Sequence, residues 1–264
     1  MEFETLEYDE SDGVAVVTLN RPEVHNAFNY VMQRELCEVW RSLRTNDGVR
    51  AIILTGSGTH AFCTGIDRAD VPTDEASYDF HPLTYEDPGR SIGPRSQGLW
   101  KPVIAAVNGM ACAGAFYLLG QADFLIAADH ATFFDPHVTY GMPAVFEPAL
   151  MSSRMPFGEV MRMTLMGSAE RISAQRAEQI GLVSQVVPSA ELLDVSRSVA
   201  ATIASYSPAA VQASLRAVWA SRETLPGQMT ELGNLFLNIS MSAEILRSGQ
   251  DTFRSRRNEA PTIR

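Results

Sequence analysis

The 264-residue sequence contains almost no lysine and few cysteines. Lys101 is the only lysine, so nearly all of the 21 basic residues are arginines, and 31 acidic residues leave a formal net charge of -10. Because binding to nucleic-acid phosphates requires basic residues clustered over a broad face, this balance argues against a nucleic-acid partner. A small anionic ligand held in a local basic pocket is still compatible with it.

Three further absences narrow the class of protein. Cys37, Cys63 and Cys112 form no CxxC pair or Cys/His cluster, so we predict neither a disulfide framework nor a metal site, and a reducing environment. The first residues are acidic where a signal peptide requires positive charge, so we expect no export and a cytoplasmic location. The uncharged run over residues 102–122 is interrupted by Pro, Asn, Gly and Gln, which favours a strand, a turn and a buried helix over a membrane partner.

Hydrophobic periodicity predicts alternating strands and helices in the first half of the chain. The predicted elements are a hairpin of strands at 3–8 and 14–19 around Asp12-Gly13, a helix at 30–44, strands at 51–54, 102–107 and 123–128, and a helix at 115–120. Residues 72–98 are rich in turn formers, so we expect a long surface excursion or lid there. From residue 149 onward the pattern is helical apart from a strand in LVSQVV.

Two stretches are rich in small residues at the ends of predicted strands. VNGMACAGAFYLLG and FCTGIDRAD each lead from a strand into a helix start, where backbone N–H groups are unpaired and the helix dipole is positive. Two such amides that converge on one carbonyl oxygen form an oxyanion hole. The alternative interpretation is close packing of helix on strand, which also requires small side chains.

Six segments together resemble one known family. LNRPEVHNAFN, AFCTGID, KPVIAAVNGMACAGA, AADHATFFDP, ERISAQRAEQIGLVSQVVP and ILRSGQDTFRSRR are similar to segments of the crotonase (enoyl-CoA hydratase/isomerase) superfamily, and they cover nearly the whole chain. The resemblance implies an α/β fold: a crotonase-like ββα spiral in residues 1–200 and a C-terminal helical trimerisation region in residues 201–264. It also implies a homotrimer or a dimer of trimers that acts on an acyl-CoA or enoyl-CoA substrate, with coenzyme A as part of the substrate and no separate cofactor.

The resemblance also assigns binding residues. It places the oxyanion amides at Ile66 and Gly114. It implies a substrate-binding surface formed by Glu23, His25, Ala27, Thr64, Asp67 and Arg68, in which Asp67 is alternatively a structural anchor. The arginines that we expect to form bidentate pairs with the CoA phosphates are Arg21, Arg68, Arg254, Arg256 and Arg257. For each of them, the alternative is a solvated surface charge.

The sequence departs from the family at both catalytic carboxylates. Tyr117 stands where family hydratases have their first glutamate, and His137 stands where they have the second. Hydration requires one group to activate water and another to deliver a proton. We rank His137 first as acid/base group, with Glu147 orienting it or serving as the base, and Asp135 as a further candidate on the same strand face. Tyr117 is expected to donate a hydrogen bond or to shape the acyl pocket.

Three functions fit this pattern. The first is an enoyl-CoA hydratase or isomerase, a lyase with rearranged acid/base groups. The second is a hydrolase of CoA esters or C–C bonds that uses the same oxyanion hole. The third is a catalytically silent acyl-CoA binding protein.

Overall fold

The computed structural model describes residues 2–70, 87 and 89–255. The chain divides into two units, Met1–Ser205 and Tyr206–Arg264. The predicted boundary at 200/201 lies inside a helix, Leu192–Ala204, which belongs wholly to the first unit. Ala200 and Ala204 of this helix are buried in the first unit's core, which is why the division follows Ser205.

Within the described residues, the first unit contains ten strands and six α-helices. The strands are β1 (Leu6–Ser11), β2 (Val14–Leu19), β3 (Ala51–Gly56), β4 (Ala61–Cys63), β5 (Val103–Val107), β6 (Met110–Cys112), β7 (Phe124–Ala128), β8 (Thr132–Phe134), β9 (Ile172–Ser173) and β10 (Gln185–Val187). The helices are α1 (Tyr30–Thr45), α2 (Ala115–Leu119), α3 (Phe146–Met151), α4 (Phe157–Met166), α5 (Ala174–Gln179) and α6 (Leu192–Ala204). The second unit is helical in its described part, with α7 (Pro208–Ala220), α8 (Pro226–Ser240) and α9 (Ala243–Ser255).

The strands form two sheets that the chain visits alternately. The larger sheet has the order β1-β2-β3-β5-β7-β10 and the smaller one the order β4-β6-β8-β9. Each step from β3 to β4, from β5 to β6 and from β7 to β8 leaves the larger sheet and enters the smaller one. Repetition of this step builds a spiral, and the predicted α/β class is confirmed.

The larger sheet is covered on both faces, as is typical of parallel strands. Ile52 and Leu54 of β3 face the core that contains α1, whereas Ala51 and Ile53 face the core that contains α6. The predicted helix at 30–44 is present as α1. Asn29 caps it by accepting a hydrogen bond from the Met32 N–H at 2.9 Å.

Two details differ from the sequence-based expectations. Strand β1 begins at Leu6 rather than residue 3, because the N–H groups of Glu4 and Thr5 donate to the Glu35 carboxylate at 2.7 and 2.9 Å instead of to a neighbouring strand. The predicted surface excursion at 72–98 lies largely outside the described residues. Its described end is not wholly superficial, because Ile92 is buried and its carbonyl accepts a hydrogen bond from the indole N–H of Trp40 at 2.7 Å.

Within the described residues, none of the helices combines the length and apolar character that a bilayer crossing requires.

Candidate active site

The smaller sheet brings three chain segments together at one edge. Strand β4 pairs with β6 and β6 pairs with β8, both in parallel, so the segments that follow these strands leave the sheet on the same side. These segments begin at Thr64, Ala113 and Asp135. Ligand sites in α/β folds form where the carboxyl ends of parallel strands meet, and most of the predicted site residues lie here.

The segments after β4 and β6 approach each other closely at Gly65 and Gly114. A Cβ atom on Gly65 would lie 2.8 Å from the Gly114 nitrogen, and Gly65 has φ +89°, which only glycine adopts readily. A Cβ atom on Gly114 would lie 2.7 Å from the Phe28 ring. The bare stretch in the sequence is therefore required by the close approach of two backbones over an aromatic ring.

The amides of Ile66 and Gly114 are available at this contact. Phe28 donates its N–H to the Gly65 carbonyl and accepts one from Asp67, both at 2.8 Å, so the N–H of Ile66 between them points away from Phe28. In the part of the chain that the structure describes, neither amide has a hydrogen-bond acceptor. Ala113, with φ +51°, turns the chain sharply before α2 begins at Ala115.

A loop at residues 21–27 is fastened against the segment that follows β4. The Arg21 guanidinium forms an ion pair with Asp67 at 2.8 Å and donates to the Ala27 carbonyl at 2.7 Å. Asn26 donates to the carbonyls of Ser57 and Ala61, both at 2.9 Å. These contacts give Arg21 and Asp67 an anchoring role in the structure, and they show that Asn26, which the sequence analysis missed, holds this loop in place.

The predicted CoA-binding residues share this neighbourhood. Glu23 lies in a short 3₁₀ helix, and His25 follows it in the left-handed conformation. The Thr64 hydroxyl donates to the His25 carbonyl at 3.4 Å, so the structure brings these predicted residues together with Ala27.

Asp135 and His137 form a hydrogen-bonded pair just after β8. The Nδ1 atom of His137 donates to Oδ1 of Asp135 at 2.5 Å, and the backbone N–H of His137 donates to the same oxygen at 3.1 Å. The two residues were expected to share a strand face, but β8 ends at Phe134, ahead of Pro136, and His137 begins a 3₁₀ helix. The turn, rather than strand alternation, brings them together.

Glu147 completes a row of three side chains. It is the second residue of α3, is buried, and places Oε1 3.7 Å from Nε2 of His137. The hydrogen bond to Asp135 raises the pKa of His137 above its ordinary value, although burial opposes this. Burial raises the pKa of the Glu147 carboxyl, although the nearby His137 opposes this. Glu147 therefore releases its proton at a higher pH than an exposed glutamate does.

Tyr117 lies beside this row. Its side chain is 3% exposed, and its hydroxyl makes no hydrogen bond of normal geometry to any described residue. Burial, followed by the charges of Glu147 and Asp87, strongly raises the pKa of this phenol, which stays neutral. Asp87 is a carboxylate that the sequence analysis missed, because it lies in a segment without periodicity.

The same three side chains are a possible cation site. Asp135, His137 and Glu147 each offer a ligand atom, and these atoms lie within 4.8 Å of one another. Carboxylate and imidazole groups suit several divalent metals. The expectation that the protein uses no metal therefore remains a prediction.

The predicted phosphate-binding arginines are divided between the two units of the chain. Arg68 stacks over the Tyr140 ring at 4.9 Å, in the 3₁₀ helix that begins at His137. Arg254 lies in the second unit, 3.4 Å from Asp251. Arg256 and Arg257 lie outside the described residues.

The alternating sheets and the bare backbone contact at the ends of β4 and β6 define an enzyme class with the crotonase fold. The chain belongs to the enoyl-CoA hydratase/isomerase family, whose model matches residues 9–260. The resemblance found in the sequence is thereby confirmed.

Individual relatives agree with this assignment. The chain is 35% identical over 257 residues to the (E)-benzylidenesuccinyl-CoA hydratase of Thauera aromatica, with 96% of each chain covered. It is 34% identical to the short-chain-enoyl-CoA hydratase of Clostridium acetobutylicum, with 83% of this chain and 82% of that one covered. The crystal structure of an enoyl-CoA hydratase/isomerase from Mycobacterium paratuberculosis matches with a TM-score of 0.86 and 32% identity, covering 99% of both chains.

Proposed function

We propose that this protein adds water reversibly to an enoyl-CoA thioester, with His137 and Glu147 in place of the two family glutamates. The observation that carries the proposal is the 3.7 Å separation between His137 Nε2 and Glu147 Oε1, beside the strand ends that carry two available amides. Hydration requires one group that activates water and another that delivers a proton, and this pair supplies both.

The proposed reaction begins with the thioester oxygen at the N–H groups of Ile66 and Gly114. Nε2 of His137 takes a proton from water as the water oxygen bonds to Cβ of the substrate. The electron pair of the double bond moves to Cα and the thioester oxygen, and the two amides stabilise the resulting enolate. Protonated Glu147 then delivers its proton to Cα, and transfer of a proton from His137 to Glu147 restores the pair.

Other residues orient these groups. Asp135 holds the His137 ring so that Nδ1 keeps its proton and Nε2 is free for catalysis. Tyr117 borders the acyl group. The loop with Glu23, His25 and Ala27, together with Thr64, Asp67 and Arg68, would border the CoA part of the substrate, which needs no further cofactor.

A second candidate is hydrolysis of a CoA ester. The Asp135–His137 hydrogen bond favours it, because a carboxylate-oriented histidine is also the arrangement by which a general base activates water for attack on a carbonyl carbon. In that case the amides of Ile66 and Gly114 would stabilise a tetrahedral intermediate and the products would be CoA thiol and a free acid.

A panel of acyl-CoA and enoyl-CoA esters with mass detection tests both candidates. We expect a gain of one water by an enoyl-CoA, with the thioester intact. Release of CoA from saturated and unsaturated esters alike would support the hydrolase instead. Binding of the esters without any turnover would support the silent acyl-CoA binding protein.

We also propose a homotrimer or a dimer of trimers in the cytoplasm. The helical second unit and the family membership support the assembly, and three free cysteines suit a reducing compartment. Sedimentation at micromolar concentration should give a trimer or a hexamer, and a monomer would contradict the proposal.

A further inference from the structure

Asp87 is a third carboxylate beside the acyl end of the site, and the proposed reaction does not use it. Its Oδ1 accepts a hydrogen bond from the Gly89 N–H at 2.9 Å. Gly89 in turn packs on Tyr117, because a Cβ atom added to Gly89 would lie 2.3 Å from Cε2 of the tyrosine ring. The backbone at Gly89 therefore fixes the Asp87 carboxylate next to the Tyr117 ring.

Negative charge accumulates at this place. Asp87 joins Asp135 and Glu147, and His137 is the group in this cluster that can carry a positive charge. Asp87 is among the charges that act on all three neighbouring groups, since it contributes to the raised pKa values of Tyr117, His137 and Glu147. The cluster therefore keeps a net negative charge even when His137 is protonated.

The arginines on adjoining segments do not neutralise the cluster. Arg68 is exposed and stacks over the Tyr140 ring. Arg90, next to Gly89, is also exposed, and Arg171 stacks over the Phe134 ring at 4.5 Å. Among the described residues, no ion pair joins an arginine to Asp87, Asp135 or Glu147.

We propose that Asp87 is a specificity-determining residue, which makes the acyl site select uncharged acyl groups and exclude those that carry a second, free carboxylate. A carboxylate brought into this space would meet fixed like charges in a partly dehydrated environment, where such repulsion is weakly screened. A neutral acyl group meets no such penalty. The inference rests on the proposed function only in that the acyl part of a CoA thioester occupies this place.

Binding of two saturated thioesters tests the inference without requiring turnover. Valeryl-CoA and glutaryl-CoA have the same number of acyl carbons. The acyl chain of valeryl-CoA ends in a methyl group, whereas that of glutaryl-CoA ends in a carboxylate. Isothermal titration at pH 7.5 should give a Kd for valeryl-CoA at least ten-fold lower than that for glutaryl-CoA. A ten-fold ratio corresponds to about 1.4 kcal/mol.

The variant that isolates the charge is Asp87→Asn, which retains an oxygen to accept the Gly89 N–H. It should reduce the ratio of the two Kd values at least three-fold, chiefly by strengthening the binding of glutaryl-CoA. Asp9→Asn is the matched control, because it removes one negative charge from an exposed surface pair with Arg197 and should leave the ratio unchanged.

Each outcome decides at least one of the two proposals. A wild-type ratio near one, or a ratio that Asp87→Asn leaves unchanged, overturns the selectivity. A ratio that behaves as expected in a protein that turns over no ester upholds the selectivity and overturns the hydratase. Failure of both thioesters to bind overturns both proposals.

Discussion

A single oxygen atom of Asp135 accepts hydrogen bonds from both the ring Nδ1 and the backbone N–H of His137, at 2.5 and 3.1 Å. Because Asp135 is fully buried, its carboxylate is shielded from water. The orientation of the imidazole ring and the position of its proton are thus set before any substrate arrives. This preorganisation leaves Nε2 facing Glu147 as the atom for proton transfer.

Removal of the imidazole should cost far more activity than removal of the nearby phenol. We expect His137→Ala to lower kcat about 100 to 10,000-fold, the usual effect of losing an acid/base group, and Tyr117→Phe to lower it much less. The comparison uses the best substrate of the ester panel, with CoA-ester binding measured for both variants. Near wild-type turnover in His137→Ala together with an inactive Glu147→Gln would make the carboxylate the sole base.

The pH profile should report on Asp135. The active His137–Glu147 pair holds one proton, so kcat/KM should fall at low pH as a second proton binds and at high pH as the last one leaves. Asp135 raises the pKa of His137, so Asp135→Asn should move the alkaline limb of the profile to lower pH. An alkaline limb that stays in place would show that Asp135 has no influence on the titrating pair.

One oxyanion donor can be removed by substitution at Gly114. Its φ of -58° already suits proline, so Gly114→Pro removes the N–H without requiring a new φ. Loss of one such donor typically costs about 100 to 1,000-fold in kcat. Gly114→Ala is the matched control, because it adds the same Cβ against Phe28 and retains the N–H. Equal activity of the two variants would contradict the role of this amide.

Glu147→Gln should stabilise the protein while it abolishes activity. Burial raises the pKa of the Glu147 carboxyl in the folded state above its ordinary pKa in the unfolded chain. The wild type therefore loses stability as the pH rises from the pKa of the unfolded state through the pKa of the folded state. The variant does not titrate there. We expect its Tm to exceed that of the wild type by about 2–4 °C at pH 8, which is about 1 kcal/mol, and by less at pH 5.

Glu38→Gln makes the same substitution on the exposed face of α1, serves as the stability control and should change the Tm by much less than Glu147→Gln does. A Tm advantage of Glu147→Gln that is equal at both pH values would remove burial of the charge as its cause.

Chelation should leave the activity intact. The proposed proton transfers use only side chains and water, so at least about 80% of kcat should remain after dialysis against EDTA. This loss is much smaller than the ten-fold decrease that an increase of about 1.36 kcal/mol in the activation barrier would cause. Added Zn²⁺ should inhibit reversibly by occupying His137 Nε2 and Glu147. Loss of activity on chelation, restored by a metal, would instead make the three-residue set a metal centre.

The amino-acid sequence predicts the backbone part of the site better than its side-chain part. The close approach of two backbone segments requires glycine at positions 65 and 114. A cluster of small residues of this kind can be recognised in the amino-acid sequence alone. Asp135 was expected only to share a strand face with His137, whereas their hydrogen bond depends on where β8 ends and a 3₁₀ turn begins. No local sequence pattern marks Asp87 as a site residue. Its carboxylate is positioned by its hydrogen bond from Gly89 and by the packing of Gly89 on Tyr117.

The position of Lys101 has a chemical consequence for a protein of this family. Its side chain is almost completely buried and its amine donates a hydrogen bond to the Asn46 carbonyl at 2.5 Å. Thioesters acylate free amines, and arginine at neutral pH is not such a nucleophile. With its sole lysine enclosed in this way, the folded chain presents no lysine side chain that an activated acyl group can modify.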